Sequence, residues 1–343
     1  MIRVAVIGAG QWGPNLIRNF HNKETSEVVW IIDRDVARLN EAHAYFPDVH
    51  AAKDPEQAFC DPSVHAVVVA TPTSTHYALA KEALERRKHL LVEKPLTTEV
   101  KQGLQLLELA MSQRLTLMVG HVFVYNPAVR KVKDYLDTGY LGKVYYVSMV
   151  RTNLGPIRLD VNAAWDLAAH DLSIANYWLD AEPQSLSAIG GTWINQGIED
   201  AVFATLRYSQ GVLVNLHASW LNPRKTRDIM VVGERRMLTF DDLNLNEPLH
   251  IYDTRVSDAR SRPAYVDSFA SFRASIRRGD ITVPKVPVGE PLALQCAHFL
   301  ECIATGTQPF SGGREGIAVV RALEAMQRSM GAGGREEQVE PSC

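Results

Sequence analysis

Asp166 and His170 stand four residues apart in Trp165-Asp166-Leu167-Ala168-Ala169-His170-Asp171, a spacing that sets both on one face of a helix. A carboxylate beside an imidazole raises its pKa and orients the ring, which suits a group that takes a proton from an alcohol and returns it. The same pair also occurs as a plain surface bridge on amphipathic helices. Lys94 adds weight to the chemical reading. It ends the apolar run in Leu90-Leu91-Val92-Glu93-Lys94-Pro95, where a strand of an open α/β sheet presents residues to a bound ligand. A lysine there donates to an oxygen that is becoming a carbonyl and lowers the cost of its developing charge. The third element is Gly8-Ala9-Gly10-Gln11-Trp12-Gly13, directly after the apolar run 2–7. Its glycines allow a tight turn, close approach of a pyrophosphate and close packing of the following helix, whose free N–H groups face the phosphates. Asp33 follows twenty residues after Gly13, at the end of the apolar run 28–32, and a carboxylate there accepts from both hydroxyls of an adenosine ribose. NAD is therefore the expected cofactor, and NADP less so, because Asp33 repels a 2′-phosphate. Arg34 beside it is the one residue that could turn toward such a phosphate.

Elements must hold these residues in place. Residues 1–121 alternate short apolar runs near 2–7, 28–32, 65–70, 89–92 and 116–120 with amphipathic stretches near 12–22, 35–45, 75–87 and 98–113. That alternation predicts an α/β fold, a Rossmann dinucleotide-binding domain with helices on both sheet faces. A helix over 127–137 leads to longer alternating runs at 143–153, 184–193, 201–208 and 212–221, interrupted by one helix over 163–179. This predicts a C-terminal α+β domain, over 122–335, with a large, mostly antiparallel sheet. Helical periodicity returns over 287–306 and 316–330, the polar stretch 241–285 has no assignment, and 336–343 reads as a mobile tail.

The bulk properties narrow the partners. A chain of 343 residues with 46% hydrophobic content buries substantial cores, and its net charge of −3 comes from scattered residues. It carries no electrostatic footprint for nucleic acid or for an anionic membrane. No apolar run approaches a membrane span, and with no basic leader or signal core before the first strand the expected compartment is the cytoplasm. Cys60, Cys296, Cys302 and Cys343 show no metal-ligand spacing, so no metal is expected and buried thiols are favoured over disulfides.

The glycine fingerprint, Glu93-Lys94-Pro95 and Asp166 followed by His170 together resemble the Gfo/Idh/MocA oxidoreductases. The resemblance runs over nearly the whole chain, through Thr71-Pro72 with Thr73 and His76, Tyr125-Asn126-Pro127 and the closing helices. It implies a catalytic trio of Lys94, Asp166 and His170, with His170 as acid/base, and a Lys94-Pro95 peptide that is often cis in relatives. It also implies cofactor contacts from Gln11, Trp12, Arg34, Thr71, Thr73, His76, Glu93, Lys94 and Asn126 beside the glycines and Asp33. The segment Asn153-Leu154-Gly155-Pro156-Ile157-Arg158 and Asp160 to Asp166 is most similar to the sugar-nucleotide branch. That branch oxidises a ring hydroxyl, usually at C3, of an activated sugar or amino sugar. Relatives are dimers or tetramers built through the large sheet.

Substrate contacts are expected from Arg151 and Arg158, which flank the Asp166 helix, and from Asn153, Asn162, Trp165 and His121, although His121 equally fits a ring that satisfies a backbone carbonyl. Arg224, Lys225 and Arg227 can meet a diphosphate or form a solvated loop; Trp193 and Trp220 read as sheet-face packing. Three rival functions remain open: an inositol or sugar-phosphate dehydrogenase, a redox-neutral glycosidase that borrows NAD transiently, and a nucleotide-sensing protein without catalysis.

Overall fold

The computed structural model describes residues 1–253, 255–256, 276–277 and 279–340. Of the unassigned stretch 241–285, residues 254, 257–275 and 278 lie outside them. The chain divides into two compact units, one of Met1–Asn126 with Gly289–Glu324, the other of Pro127–Val288 with Ala325–Pro341.

The first unit holds a six-stranded parallel sheet made of β1 (Ile2–Ile7), β2 (Ser26–Ile32), β3 (His50–Ala52), β4 (Ala66–Val69), β5 (His89–Val92) and β6 (Leu117–Val119), in the order β3-β2-β1-β4-β5-β6. That order reverses at β1, and ligands bind doubly wound sheets at such a switch point, beyond the carboxyl ends of the strands. The strands are buried on both faces: Val4, Ala5 and Val6 of β1 and all of β4 are fully enclosed. The helices α1 (Gly13–His21), α2 (Val36–Tyr45), α3 (Glu56–Cys60), α4 (His76–Glu85) and α5 (Val100–Gln113) alternate with them. The short β3 and α3 carry too few residues for a periodic signal. Their pairing and capping come from tertiary context.

The second unit opens with α6 (Pro127–Asp137), whose Pro127 stands at the first helical position, where its missing N–H costs nothing. Its nine-stranded sheet is built from β7 (Val144–Leu154), β8 (Ser185–Gly191), β9 (Ala201–Arg207), β10 (Leu213–Ser219), β11 (Leu221–Gly233), β12 (Met237–Asp241) and β13 (Leu249–Tyr252) with two short edges. Pairing is antiparallel except between β7 and β10. Val202, Ala204 and Leu206 point to the covered face while Phe203, Thr205 and Arg207 are exposed, the period-two pattern of a sheet packed on one side. A separate ladder joins β14 (Arg255–Val256) to β15 (Ile276–Arg277), and β16 (Ile281–Thr282) forms one edge of the large sheet. The helix expected over 163–179 starts as a π-turn, Ala164–Ala168, before α7 (Ala169–Leu179).

Three expectations are corrected. The second domain was expected to run unbroken from 122 to 335, yet α8 (Pro291–Thr305) and the first part of α9 (Gly313–Gly331) pack with the first unit. Phe299 meets Phe20 edge to face at 6.2 Å, and Glu290 receives Arg18 and Asn19 of α1. The tail is not mobile at its start: β17 (Glu337–Gln338) pairs with β8 and Val339 is buried, so the edge strand gains backbone partners it otherwise lacks. Cys60 is exposed, whereas Cys296 and Cys302 are buried; Cys343 lies outside the described residues. No helix among the described residues is long and apolar enough to cross a membrane.

Candidate active site

In the first unit the chain leaves β1 through Gly8 at φ +106°, where a Cβ would stand 2.5 Å from the Ala70 carbonyl oxygen. A Cβ at Gly13 would stand 2.0 Å from the Gly8 carbonyl oxygen, so only glycine lets α1 begin this close to the turn. Gly10 is open apart from the Arg38 Nη1 atom, 3.6 Å from its Cβ position. The turn is therefore bare backbone at a helix N-terminus, which fits a diphosphate. Asp33 braces it: Oδ2 accepts from the Ala9 N–H at 2.7 Å and Oδ1 from the Asp35 N–H at 2.8 Å, and each oxygen keeps a lone pair for a ribose hydroxyl. These residues fit a nicotinamide dinucleotide. Gln11, Trp12 and Arg34 are exposed around the turn. Arg38, ion-paired to Asp35 at 3.5 Å, was not anticipated; its sequence signal is only that it stands one helical turn after Asp35.

Lys94 follows β5 and precedes a cis proline peptide. Glu93 accepts from the Lys94 N–H on Oε2 at 3.3 Å. Its Oε1 atom is enclosed against Gly120, 2.8 Å from where a Cβ would stand, with no hydrogen-bond partner. Burial pushes the Glu93 carboxyl up to about 7, against the pull of Lys94. His121 is 1% exposed and satisfies no carbonyl: neither ring nitrogen has a partner, and burial reinforced by the Lys94 charge holds it down at about 3, neutral. His76, expected to touch cofactor, is enclosed instead, its ring nitrogens 2.9 Å from the Thr71 carbonyl and 2.8 Å from the Pro95 carbonyl. It joins two loops. Thr71 Oγ1 meets Thr75 Oγ1 at 2.7 Å, Thr73 is 5% exposed, and the Asn126 N–H closes a short turn onto Phe123 O at 3.0 Å.

In the second unit Asp166 lies within the π-turn and His170 one residue into α7. The i, i+4 spacing of a regular helix therefore does not describe the whole segment, and such turns recur at functional sites. Asp166 accepts from Arg158 Nη1 at 3.2 Å on Oδ1 and from Trp220 Nε1 at 3.1 Å on Oδ2. Trp220, fully buried at the end of β10, is thus more than sheet packing. Arg158 also grips Asp160, with Nη2 at 2.7 Å from Oδ2.

Arg151 and Asn162 are corrected as substrate contacts. Arg151 is 3% exposed and donates Nε and Nη2 to Asp171 Oδ1 at 2.9 and 2.7 Å. Asn162, 6% exposed, donates to Glu199 and Gln327 and accepts the Trp165 N–H at 3.1 Å, capping the π-turn. Asn153 donates to Gly155 O and shapes its own turn. Trp165 remains partly exposed. Trp193 is 66% exposed rather than packed on the sheet, its ring lying over Gly191. Arg227 lies in the β11 ladder opposite Arg151, whereas Arg224 and Lys225 lie in an exposed, unpaired insertion near its start. Among the described residues no group of three His, Cys, Asp or Glu is placed to hold a metal ion.

Residues 2–121 match a family profile described as an oxidoreductase family with an NAD-binding Rossmann fold, and residues 129–239 match the GFO/IDH/MocA C-terminal domain. The chain is 27% identical to UDP-N-acetylglucosamine 3-dehydrogenase of Acidithiobacillus ferrooxidans over 94% of its own length and 95% of that enzyme's. It is 26% identical to scyllo-inositol 2-dehydrogenase (NAD(+)) of Bacillus subtilis, covering 90% of this chain and 88% of the other. A solved structure of the A. ferrooxidans enzyme superposes with a TM-score of 0.81 at 26% identity, covering 96% of this chain and 98% of that one.

Proposed function

The chain belongs to the Gfo/Idh/MocA family of NAD-binding oxidoreductases, and from that premise we propose that it oxidises a ring hydroxyl, at C3, of a nucleotide-activated hexose or amino sugar. The observation that carries this reading is the end-to-end similarity, in sequence and fold, to an enzyme named for 3-dehydrogenation of UDP-N-acetylglucosamine. NAD, held by Gly8, Gly10, Gly13 and Asp33, supplies the hydride acceptor when bound. Lys94 donates to the hydroxyl oxygen as it becomes a carbonyl, and His170 accepts the hydroxyl proton. Asp166, fixed by Arg158 and Trp220, orients the His170 ring in this reading. Glu93 accepts from the Lys94 N–H and so steadies the peptide that carries Lys94.

A second reading has its own support: the similarity to scyllo-inositol 2-dehydrogenase is almost as strong and nearly as long. Inositols present the same ring alcohol without an anionic handle. Reduced-cofactor absorbance with UDP-N-acetylglucosamine, other nucleotide sugars, sugar phosphates, inositols and free sugars separates the two. The nucleotide sugar should lose most of its kcat/KM when its nucleoside diphosphate is removed, because remote binding energy positions the reacting carbon. Inositol or a free sugar turned over at least as efficiently replaces the first reading with the second.

Self-association belongs to the same proposal. The exposed face of the large sheet carries Ile189, Phe203 and Leu213, with Phe203 stacked on His217 at 4.4 Å, and a second copy would cover it. Light scattering that gives a 38 kDa particle overturns that part.

A further inference from the structure

β11 carries two cations for which the reaction above has no use. Between the pairs Leu221↔Leu154 and Thr226↔Thr152 it inserts Asn222, Pro223, Arg224 and Lys225 opposite the single residue Asn153. Bulges of this kind re-aim side chains beside active sites. The insertion is held at both ends: Asn222 Oδ1 accepts from the Arg224 N–H at 3.0 Å, and Thr152 Oγ1 donates to the Arg224 carbonyl at 3.2 Å. With its backbone spent in this way, the bulge exposes Pro223, Arg224 and Lys225.

Charge pairing in this corner of the second unit is uneven. Arg151 faces Asp171 at 2.7 Å, Arg158 faces Asp160 at 2.7 Å and Asp166 at 3.2 Å, and Arg227 faces Asp242 at 3.2 Å. Among the described residues neither Arg224 nor Lys225 has a carboxylate at ion-pair distance. Asp228 senses Arg224, yet burial and Asp241 push its carboxyl up toward the neutral form. Two exposed positive charges are left on a fixed turn.

That turn is bonded into the Asp166 neighbourhood. Trp220, whose indole donates to Asp166, also accepts the Gly155 N–H on its carbonyl at 2.9 Å, and the bulge begins two residues beyond it. At about 3.3–3.6 Å per residue, Arg224 lies within ~14 Å of chain from Trp220. That bound keeps the two cations in the same part of the second unit as Asp166, on the scale of a sugar ring with its diphosphate.

We propose that Arg224 and Lys225 form an anion subsite for the diphosphate of the activated substrate, an inference that rests on the nucleotide-sugar reading. The guanidinium grips phosphate oxygens in pairs, and the ammonium adds a mobile point charge. Inositols offer nothing to this subsite. The bulge is therefore where the two substrate readings part.

The experiment compares the full-length enzyme with Arg224→Ala/Lys225→Ala, neither residue being catalytic. At saturating NAD, KM for UDP-N-acetylglucosamine should rise about tenfold or more with kcat within about twofold. The Kd of UDP alone, measured by calorimetry with NAD present, should rise in step and lose much of its salt dependence. NAD affinity, circular dichroism and particle size should not change. The exchange Arg224→Lys/Lys225→Arg, which keeps both charges, should recover most of the UDP affinity. Unchanged KM and UDP affinity in the double alanine variant, with the wild type turning over the nucleotide sugar, overturn the subsite and leave the substrate reading intact. A wild type that binds no UDP and turns over only inositols, equally well with and without the two cations, overturns both.

Discussion

In the first unit Glu93 has an enclosed oxygen with no donor and His121 two enclosed nitrogens with no partner, whereas in the second Asp171 faces a guanidinium and Asp166 takes a donor on each oxygen. The first pair is moved toward neutral forms by burial, Glu93 up to about 7 and His121 down to about 3. In the second unit the Arg151 guanidinium, with Arg227 behind it, opposes the same push at Asp171 without cancelling it, and Asp171 Oδ2, like Glu93 Oε1, is enclosed with no partner. The difference separates two settings: in the first unit burial leaves His121 neutral and brings Glu93 to titrate near neutral pH, and in the second Asp166 and Asp171 each sit against a guanidinium that favours the charged form.

The largest expected effect comes from unmatching the second unit. Arg151→Met keeps most of the volume but leaves Asp171 buried without its cation, at a cost of about 3–5 kcal/mol in urea unfolding at pH 7. The loss should shrink in acid, where Asp171 takes a proton. A loss under about 1 kcal/mol would mean that the pair contributes no more than a surface bridge.

Next come the residues proposed for the chemistry, one in each unit. Lys94→Ala and His170→Ala should each lower kcat by about a hundredfold or more, near 2.7 kcal/mol, while nucleotide affinity by fluorescence titration stays normal. Near wild-type turnover in either variant removes that residue from the mechanism.

The smallest effect is a pH slope. Glu93 keeps its proton to about pH 7 when folded and only to its ordinary 4.5 when unfolded, so its contribution falls as pH rises across that window. His121 runs the other way, its contribution rising with pH between about 3 and 6.5. The two oppose each other from 4.5 to 6.5. Glu93→Gln removes the falling slope, and relative to wild type it should gain about 1–3 kcal/mol of stability between pH 5 and pH 8, read from denaturant midpoints. A difference that does not change with pH would return Glu93 to the ordinary carboxyl range.

Local signals in the sequence were legible as positions at strand ends, while the functional roles drawn from them stay proposals. The fingerprint glycines, Asp33 and Lys94 sit where a strand ends, and their roles depend on neighbours a few residues away. Partners distant in the chain were not legible. Nothing near Arg151 announces Asp171, nothing near Asn162 announces Glu199 and Gln327, and a buried, paired arginine has the same letter as one awaiting a substrate anion. Trp220 looked like packing because its indole partner, Asp166, lies fifty-four residues earlier. β11 was hidden by the polar insertion at its start, and α8 by the fact that its core contacts are with α1, at the other end of the sequence.

The return of 289–324 to the first unit also bears on synthesis. The fingerprint loop, Asp33 and Lys94 leave the ribosome early, but the partners that cover α1, Phe299 and Glu290, are encoded late. Roughly two hundred residues separate Asn126 from Glu324, and at about 5–20 residues per second they take about 10–40 s to add. For that interval the nascent dinucleotide half carries an uncovered Phe20 and must wait for its own closing helices. The unit that is begun first is completed almost last.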